Sequence, residues 1–356
     1  MKLRTQILGA LAMAAALPAF AQVKINDTVS VTGWAVASYQ YTQVKGQPST
    51  DTTNVDDALL EAIITPAKKT TATVSLFYHP SSEGGVSPTG AEATLLDAYV
   101  SYDAGGGVTL SAGKFLSNLG YESFYADADN MITLANQQIL APIPGYHTGF
   151  KLDYAPDKTQ TMGFQVADSE YNKPGYDATA GDGETRHNGG AEVYYTYTGI
   201  NNLQIWAGYG YESKTVPGAD TDGVTEEIVN GKVIQNAHDV SVGDIWGTYT
   251  VDKNGDQVAL EEIYKSGGFA NTGSDWLAYF LYNLPGTKVS SWFCVSGEQQ
   301  QNGTGFLGGS YTKYSISPAY TYNANLSVKL QYSYEKAKNL SFPSANFFGT
   351  ELVFKF

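Results

Sequence analysis

From Thr28 onward the chain alternates apolar and polar residues over segments of about ten, the strand period of two. In Thr28–Thr42 one face carries Val29, Val31, Gly33, Ala35, Ala37, Tyr39 and Tyr41, and the other Ser30, Thr32, Trp34, Val36, Ser38 and Gln40. In Asn325–Ala337, Leu326, Val328, Leu330, Tyr332 and Tyr334 oppose Ser327, Lys329, Gln331, Ser333 and Glu335. The segments between strands are alternately short and long. Short ones include Ala67–Lys69, Ala104–Gly106, Pro156–Lys158, Ile200–Asn201 and Asn323–Ala324, and long ones Gln43–Asp56, Ser81–Ala91, Ser117–Pro144, Ser169–Asn188 and Lys214–His238. The strands so bounded number 16, an even count that puts both ends of the chain on the short-turn side.

A soluble sandwich alternates in the same way. Two features favour a membrane barrel. Tyrosines crowd the ends of the apolar faces (Tyr39 and Tyr41, Tyr209 and Tyr211, Tyr332 and Tyr334), as in an interfacial girdle, and tight turns alternate with long loops. The expected fold is therefore all-β: a transmembrane antiparallel barrel of about 16 strands. Two segments read poorly: Gln257–Gly267, where Glu261 and Glu262 are adjacent, and Ser274–Leu284, which is apolar on both faces.

The ends of the chain agree. Lys2 and Arg4 precede the apolar stretch Ile7–Leu17, and Ala19-Phe20-Ala21 fits a small-x-small cleavage site. Residues 1–21 read as a signal peptide and 22–356 as the exported barrel. No later apolar run reaches the 18 residues of a membrane helix. At the other end Leu352, Phe354 and Phe356 alternate up to the last residue, a pattern that resembles the assembly signal of bacterial outer-membrane proteins. The expected location is the outer membrane. The expected partners are its lipids and lipopolysaccharide, the barrel assembly machinery and small hydrophilic solutes, with a homo-oligomer compatible.

Composition removes other classes. Acids outnumber Lys and Arg 35 to 21, for a net charge of −14, which argues against a binder of nucleic-acid phosphates. The one cysteine, Cys294, excludes an intramolecular disulfide framework and a multi-cysteine zinc site. Asp252-Lys253-Asn254-Gly255-Asp256 starts like a calcium loop, but it lacks the later Glu and reads as a hairpin turn. His79, His147, His187 and His238 have no metal-site spacing. The expectation is no catalytic residue, no metal and no cofactor.

Three further stretches carry a family resemblance: Ala112-Gly113-Lys114-Phe115, Leu119-Gly120-Tyr121-Glu122, and Pro142-Ile143-Pro144-Gly145-Tyr146-His147-Thr148-Gly149-Phe150. Over about 40 residues they resemble the bacterial outer-membrane β-barrel porins of the OmpL-like family. The resemblance implies a barrel with a pore and no enzyme activity, and says little of selectivity.

Ser117–Pro144 is the longest connector, and connectors of this length are usually functional or disordered. Its placement between the fifth and sixth strands resembles the constriction loop of general porins. Ala126–Leu140 carries Met131, Leu134, Ile139 and Leu140 at spacings that fit a short amphipathic helix. Its acids Glu122, Asp127 and Asp129, with Lys151 and Lys329 across the pore, are the constriction candidates. Parity places Glu61, Asp97, Asp153, Glu192, Glu212, Asp244, Glu298, Glu335 and Glu351 in the lumen, against Lys151, Lys288, Lys313, Lys329 and Lys355. Such an interior favours cations. The expected function is a water-filled channel for passive diffusion with a weak cation preference. The alternative is a barrel that acts mainly as an adhesin, receptor or envelope-interaction protein through acidic outer loops such as Pro217–Glu227.

Overall fold

The computed structural model describes residues 23–78, 93–122, 130–135, 143–167, 189–215, 227–229, 232–234, 238–267, 272–300, 309–338 and 344–356. The signal-peptide reading, Asp127, Asp129, His79 and His187 lie outside these residues. Sixteen strands form one closed antiparallel barrel. In chain order they are β1 (Val29–Val44), β2 (Thr50–Ala67), β3 (Thr70–Tyr78), β4 (Ala93–Gly105), β5 (Val108–Leu116), β6 (Tyr146–Tyr154), β7 (Gln160–Ala167) and β8 (Gly190–Ile200). There follow β9 (Leu203–Thr215), β10 (His238–Thr250), β11 (Gln257–Gly267), β12 (Gly273–Asn283), β13 (Val289–Gln300), β14 (Ser310–Asn323), β15 (Leu326–Lys338) and β16 (Ser344–Lys355). Each strand pairs with its sequence neighbours, and β16 closes on β1 from Ala345↔Val44 to Lys355↔Trp34. A two-residue strand, Val23–Lys24, also pairs with β1, and a small hairpin, Glu227–Val229 with Lys232–Ile234, lies in the connector from β9 to β10.

The barrel is inside out relative to a soluble protein. Phe150 is 69% exposed, and Leu60, Val100, Ile245, Leu260, Tyr314 and Phe354 share that outer face. Glu212, Asp275 and Lys313 are 0% exposed, and Gln165, Ser296, Ser317 and Ser333 are buried with them. An apolar band around the whole outside requires lipid, and closure leaves no unpaired edge within it. Trp34, Val36, Leu59, Leu96 and Val353 form an apolar patch on the inner wall beside the seam.

The expected turn asymmetry is present. Seven connectors of two to six residues lie at the end that holds both termini, and eight of five residues or more, including the longest, lie at the other. In one of the short turns Asp252 Oδ1 accepts from the backbone N–H of Asn254 at 2.9 Å and of Asp256 at 3.2 Å, a turn rather than a metal loop. One expected long loop is corrected. Gln43–Asp56 is largely strand, because β2 starts at Thr50 and pairs up to Thr42, past a bulge between Val36 and Ala37. Thr50–Asp56 carries few apolar residues because Thr50 to Thr53 are exposed on both faces of the hairpin, so neither face there packs against the protein. Lys288 is likewise corrected. It is exposed beside the β12–β13 turn and donates to the Tyr322 carbonyl, outside the lumen.

The seam ends on the last residue. Phe356 N–H donates to the Gly33 carbonyl at 2.9 Å, and Gly33 N–H returns a bond to the Phe356 carbonyl at 3.0 Å. A Cβ at Gly33 would lie 2.4 Å from the Leu59 carbonyl oxygen and 2.7 Å from the Phe356 ring. Gly33→Val is therefore expected to force the last two residue pairs of the seam apart. The heat-modifiable, folded fraction should fall on electrophoresis. An unchanged fraction would mean that the seam tolerates the displacement.

Candidate functional site

The connector from β5 to β6 does not stay outside. Its described residues, 117–122, 130–135 and 143–145, lie against the inner wall. Asn130–Ala135 contains no helix, which corrects the amphipathic-helix expectation over the described part. Without helix or sheet, these residues have no regular backbone ladder to satisfy their N–H groups, and buried N–H groups need partners.

The inner wall supplies those partners. Ser117 Oγ donates to Glu192 Oε1 at 2.6 Å, and Asn118 N–H donates to Glu192 Oε2 at 3.1 Å. Gly120 N–H reaches Asp244 Oδ2 at 2.7 Å, and Tyr121 N–H reaches Glu261 Oε1 at 2.5 Å. These carboxylates come from β8, β10 and β11, so the connector crosses a quarter of the wall on consecutive acceptors. On the opposite side Gln331 Oε1 accepts from Ile132 N–H at 2.6 Å and Thr133 N–H at 3.1 Å. Lys313 Nζ donates to Thr133 Oγ1 and to the Leu134 carbonyl, both at 2.7 Å, and Ser296 Oγ donates to the Ala135 carbonyl at 2.7 Å. Ionised carboxylates only accept hydrogen bonds, which suits a wall facing backbone donors. Charge-assisted bonds of this kind contribute about 1.5–3 kcal/mol each.

Apolar contacts complete the docking. Leu119 and Ile143 pack on Tyr194, Trp206, Val242, Trp246 and Ile263. Met131 and Ala135 pack on Ala259, Leu277, Tyr279 and Cys294. The rings run in sequence along the wall: Tyr194 to Trp206 at 6.3 Å, Trp206 to Trp246 at 5.7 Å, Trp246 to Tyr121 at 5.5 Å and Tyr121 to Tyr279 at 6.0 Å between centroids. Burial pushes the Tyr121 phenol above its ordinary value, so it stays a neutral group in this layer. Gly120 has φ +97°, and a Cβ there would lie 2.3 Å from Ile143 Cδ1. Only glycine allows both that turn and that approach.

The constriction candidates are placed as follows. Glu122 is buried inside the connector, where it accepts from Ala135 N–H at 2.7 Å and from the Tyr279 hydroxyl. Lys151 lies beside the connector, bonded to Asn118 Oδ1 at 2.7 Å and 3.6 Å from Asp153. Lys329 pairs with Glu351 at 2.9 Å on the short-turn side of Gln331. The structure does not bring Lys151 and Lys329 together, since they stand on β6 and β15.

Among the other lumen charges, Asp97 is bonded to Ser75 at 2.9 Å, Glu192 holds the connector, and Glu335 is 3.8 Å from Lys313. Glu61 faces inward next to Ser75 and is half-buried. His147 is buried against Phe115 and bonded to Gln165. Among the described residues no three metal-ligating side chains cluster.

Sequence reading passed over Glu261, Lys265 and Asp275. Parity contained the signal. In β11 Leu260 and Tyr264 point outward, so Glu261, Ile263 and Lys265 point in and only Glu262 falls on the outer face.

Residues 86–260, just under half of the chain, match the family model described as "Putative beta-barrel porin-2, OmpL-like". Over these residues the chain is similar to that family. The span includes the connector and the three stretches that carry the resemblance in sequence. No curated protein matches the sequence. Among solved structures, Salmonella typhi OmpF in complex with daunomycin matches at TM-score 0.68 and 11% identity, over 94% of this chain and 100% of that one. Pseudomonas putida OprB matches at 0.66 and 11%, over 92% and 94%. An anion-selective porin from Comamonas acidovorans matches at 0.62 and 11%, over 92% and 99%. At such identities the likeness is one of fold, and the fold is that of outer-membrane porins.

Removing one acceptor tests the docking. Glu261→Ala leaves the Tyr121 N–H without a partner in a buried site, at a cost of about 1–3 kcal/mol. Proteolysis within Ser117–Pro144 should accelerate about ten-fold or more while the barrel stays heat-modifiable. Unchanged cleavage would mean that the apolar contacts alone hold the connector.

Proposed function

We propose that this OmpL-like barrel is a passive outer-membrane channel for small hydrophilic solutes and ions, with a weak preference for cations and no enzymatic activity. The observation that carries the reading is a polar, charged interior under an apolar exterior, narrowed by a connector docked on the inner wall. Ten carboxylates and four lysines are buried among the described residues, an acidic interior in a chain of net charge −14. Fixed negative charge in a water-filled, low-dielectric-walled channel concentrates cations.

The preference is weak for a structural reason. Glu122, Glu192, Asp244 and Glu261 face backbone N–H groups of the connector, and Glu351 faces Lys329. Their fields are partly spent inside the wall. Selectivity is then assigned to the remaining acids, among them Glu61 and the connector's Asp127 and Asp129, set against Lys151. A fold shared with the anion-selective porin from Comamonas acidovorans supports assigning selectivity to such residues rather than to the barrel.

Planar-bilayer recording tests both parts. The folded barrel should give steady conductance, and a reversal potential of cation-selective sign under a salt gradient. Asp127→Asn with Asp129→Asn should move that potential toward zero at about 0.1 M salt. At about 1 M, where the screening length falls from about 10 Å to about 3 Å, the difference should fade. A reversal potential of zero in the native barrel would overturn the cation preference. Absence of conductance would overturn the channel and favour the interaction reading. Shortening the connector should raise single-channel conductance. No change would place it outside the conduction path.

For the last strand, the proposal is that Leu352, Phe354 and Phe356 serve in assembly. Leu352 and Phe354 are exposed on the outer face, and Phe356 completes the seam. Replacing Phe356 with Asp should lower the yield of folded barrel in the membrane, and an equal yield would remove that role.

A further inference from the structure

One buried acid takes no part in holding the connector. Asp275, in β12, is 0% exposed, and neither of its carboxylate oxygens has a hydrogen-bond partner. The acids that dock the connector differ, since Glu192, Asp244 and Glu261 each accept a backbone N–H. An ionised carboxylate buried without a partner is costly, and the remedy is a proton or a cation. The strand register shows what stands beside it. Asp275 lies directly opposite Glu298 of β13, which is 2% exposed and on the same inner face. Directly paired positions hold their Cβ atoms about 4.5–5.5 Å apart, close enough for one ion to touch both carboxylates.

The neighbouring rows of the wall set the charge. In the row of the pair, Ile263 lies beside Asp275 and Tyr311 beside Glu298, and neither brings a charge. One row toward the short turns, Glu261, Leu277, Ser296, Lys313 and Glu335 follow one another across five strands. One row toward the long loops, Lys265 pairs with Gly273. Asp275, Glu298, Glu261 and Glu335 are four carboxylates, and Lys265 and Lys313 are two ammonium groups, so the patch lacks two positive charges. A proton shared by the pair supplies one charge and serves one Asp275 oxygen, leaving the other bare. A divalent cation supplies both charges, and the ion with its water ligands serves both oxygens.

We propose that Asp275 and Glu298 bind one hard divalent cation, of the calcium and magnesium class, on the inner wall just to the long-loop side of the docked connector. Two carboxylates with water completing the shell suit such an ion, which takes oxygen ligands and retains waters. The site adjoins the dock. Leu277, the next inward residue of β12, packs with Met131 and Ala135, and Ser296, the next of β13, donates to the Ala135 carbonyl. The site goes beyond the reading of the barrel as a channel and does not depend on conduction.

The test uses the folded full-length barrel in detergent, stripped with EDTA and dialysed against radioactive Ca²⁺ in about 0.1 M KCl, where charges more than about 10 Å away are screened. The native barrel should hold one Ca²⁺ per chain that the double variant Asp275→Asn, Glu298→Gln does not. Asp275→Asn alone should weaken that site about ten-fold or more, since ligand charge sets the affinity of such sites. Asp220→Asn with Asp222→Asn, an equal loss of charge in the connector from β9 to β10, should keep the ion. Ca²⁺ should also raise the denaturation temperature of the native barrel and not that of the double variant, because a cation bound only by the folded site stabilises it. Heat-modifiable mobility checks that each variant is folded, and if the double variant is not, Asp275→Asn alone carries the comparison. Equal Ca²⁺ binding by the native barrel and the Asp275 variants would overturn the site and leave the pair to share a proton. Displacement of Ca²⁺ by an equimolar amount of Na⁺ would show a monovalent site and overturn the divalent assignment. Dialysis needs no open pore, so a failure here is distinct from a failure to conduct in bilayers.

Discussion

The structure depends on one constraint: in hydrocarbon every backbone N–H and C=O must find a partner within the protein. A sheet meets it only by closing on itself, since an open edge would leave a row of groups unpaired in lipid. The β16–β1 seam is where this chain does so, with pairs from Ala345↔Val44 to Lys355↔Trp34 and a final exchange between Phe356 and Gly33. Closure also separates the faces. Period-two alternation then sends Leu326, Val328 and Leu330 to lipid, and Lys329, Gln331 and Ser333 to the lumen.

The same rule about unpaired backbone governs the lumen. A connector without regular structure can enter a barrel only if the wall satisfies it. Here Glu192, Asp244, Glu261 and Gln331 accept its N–H groups, and Lys313 and Ser296 donate to its carbonyls. Wall charges therefore do two jobs. They set the sign of the interior, and they hold the element that narrows it. A carboxylate bonded to backbone donors is a weaker source of field than a count of acids implies.

Much of this was legible in the chain, and the exceptions have specific causes. The strands, the turn asymmetry and the place of the connector follow from alternation, because lipid on one side and water on the other impose it. Thr50–Asp56 escaped because Thr50 to Thr53 are exposed on both faces, and a strand segment that packs on neither side carries no apolar alternation. Ser274–Leu284 looked wrong for a barrel because both its faces are apolar. Its inner face, Leu277 and Tyr279, lies under Met131 and Ala135 of the connector, and its outer face, Trp276 and Phe280, meets lipid. Trp206 and Trp246 face inward for the same reason: they pack under Leu119 and Ile143.

What the sequence by itself determined is the class of fold, its strand number, and which residues look in or out, because these are local consequences of a two-residue period between two solvents. Only the tertiary structure decided which lumen charges are committed. Glu122 and Ala135 are 13 residues apart, while Tyr121 and Glu261 are 140 apart, and no spacing in the chain announces that they meet.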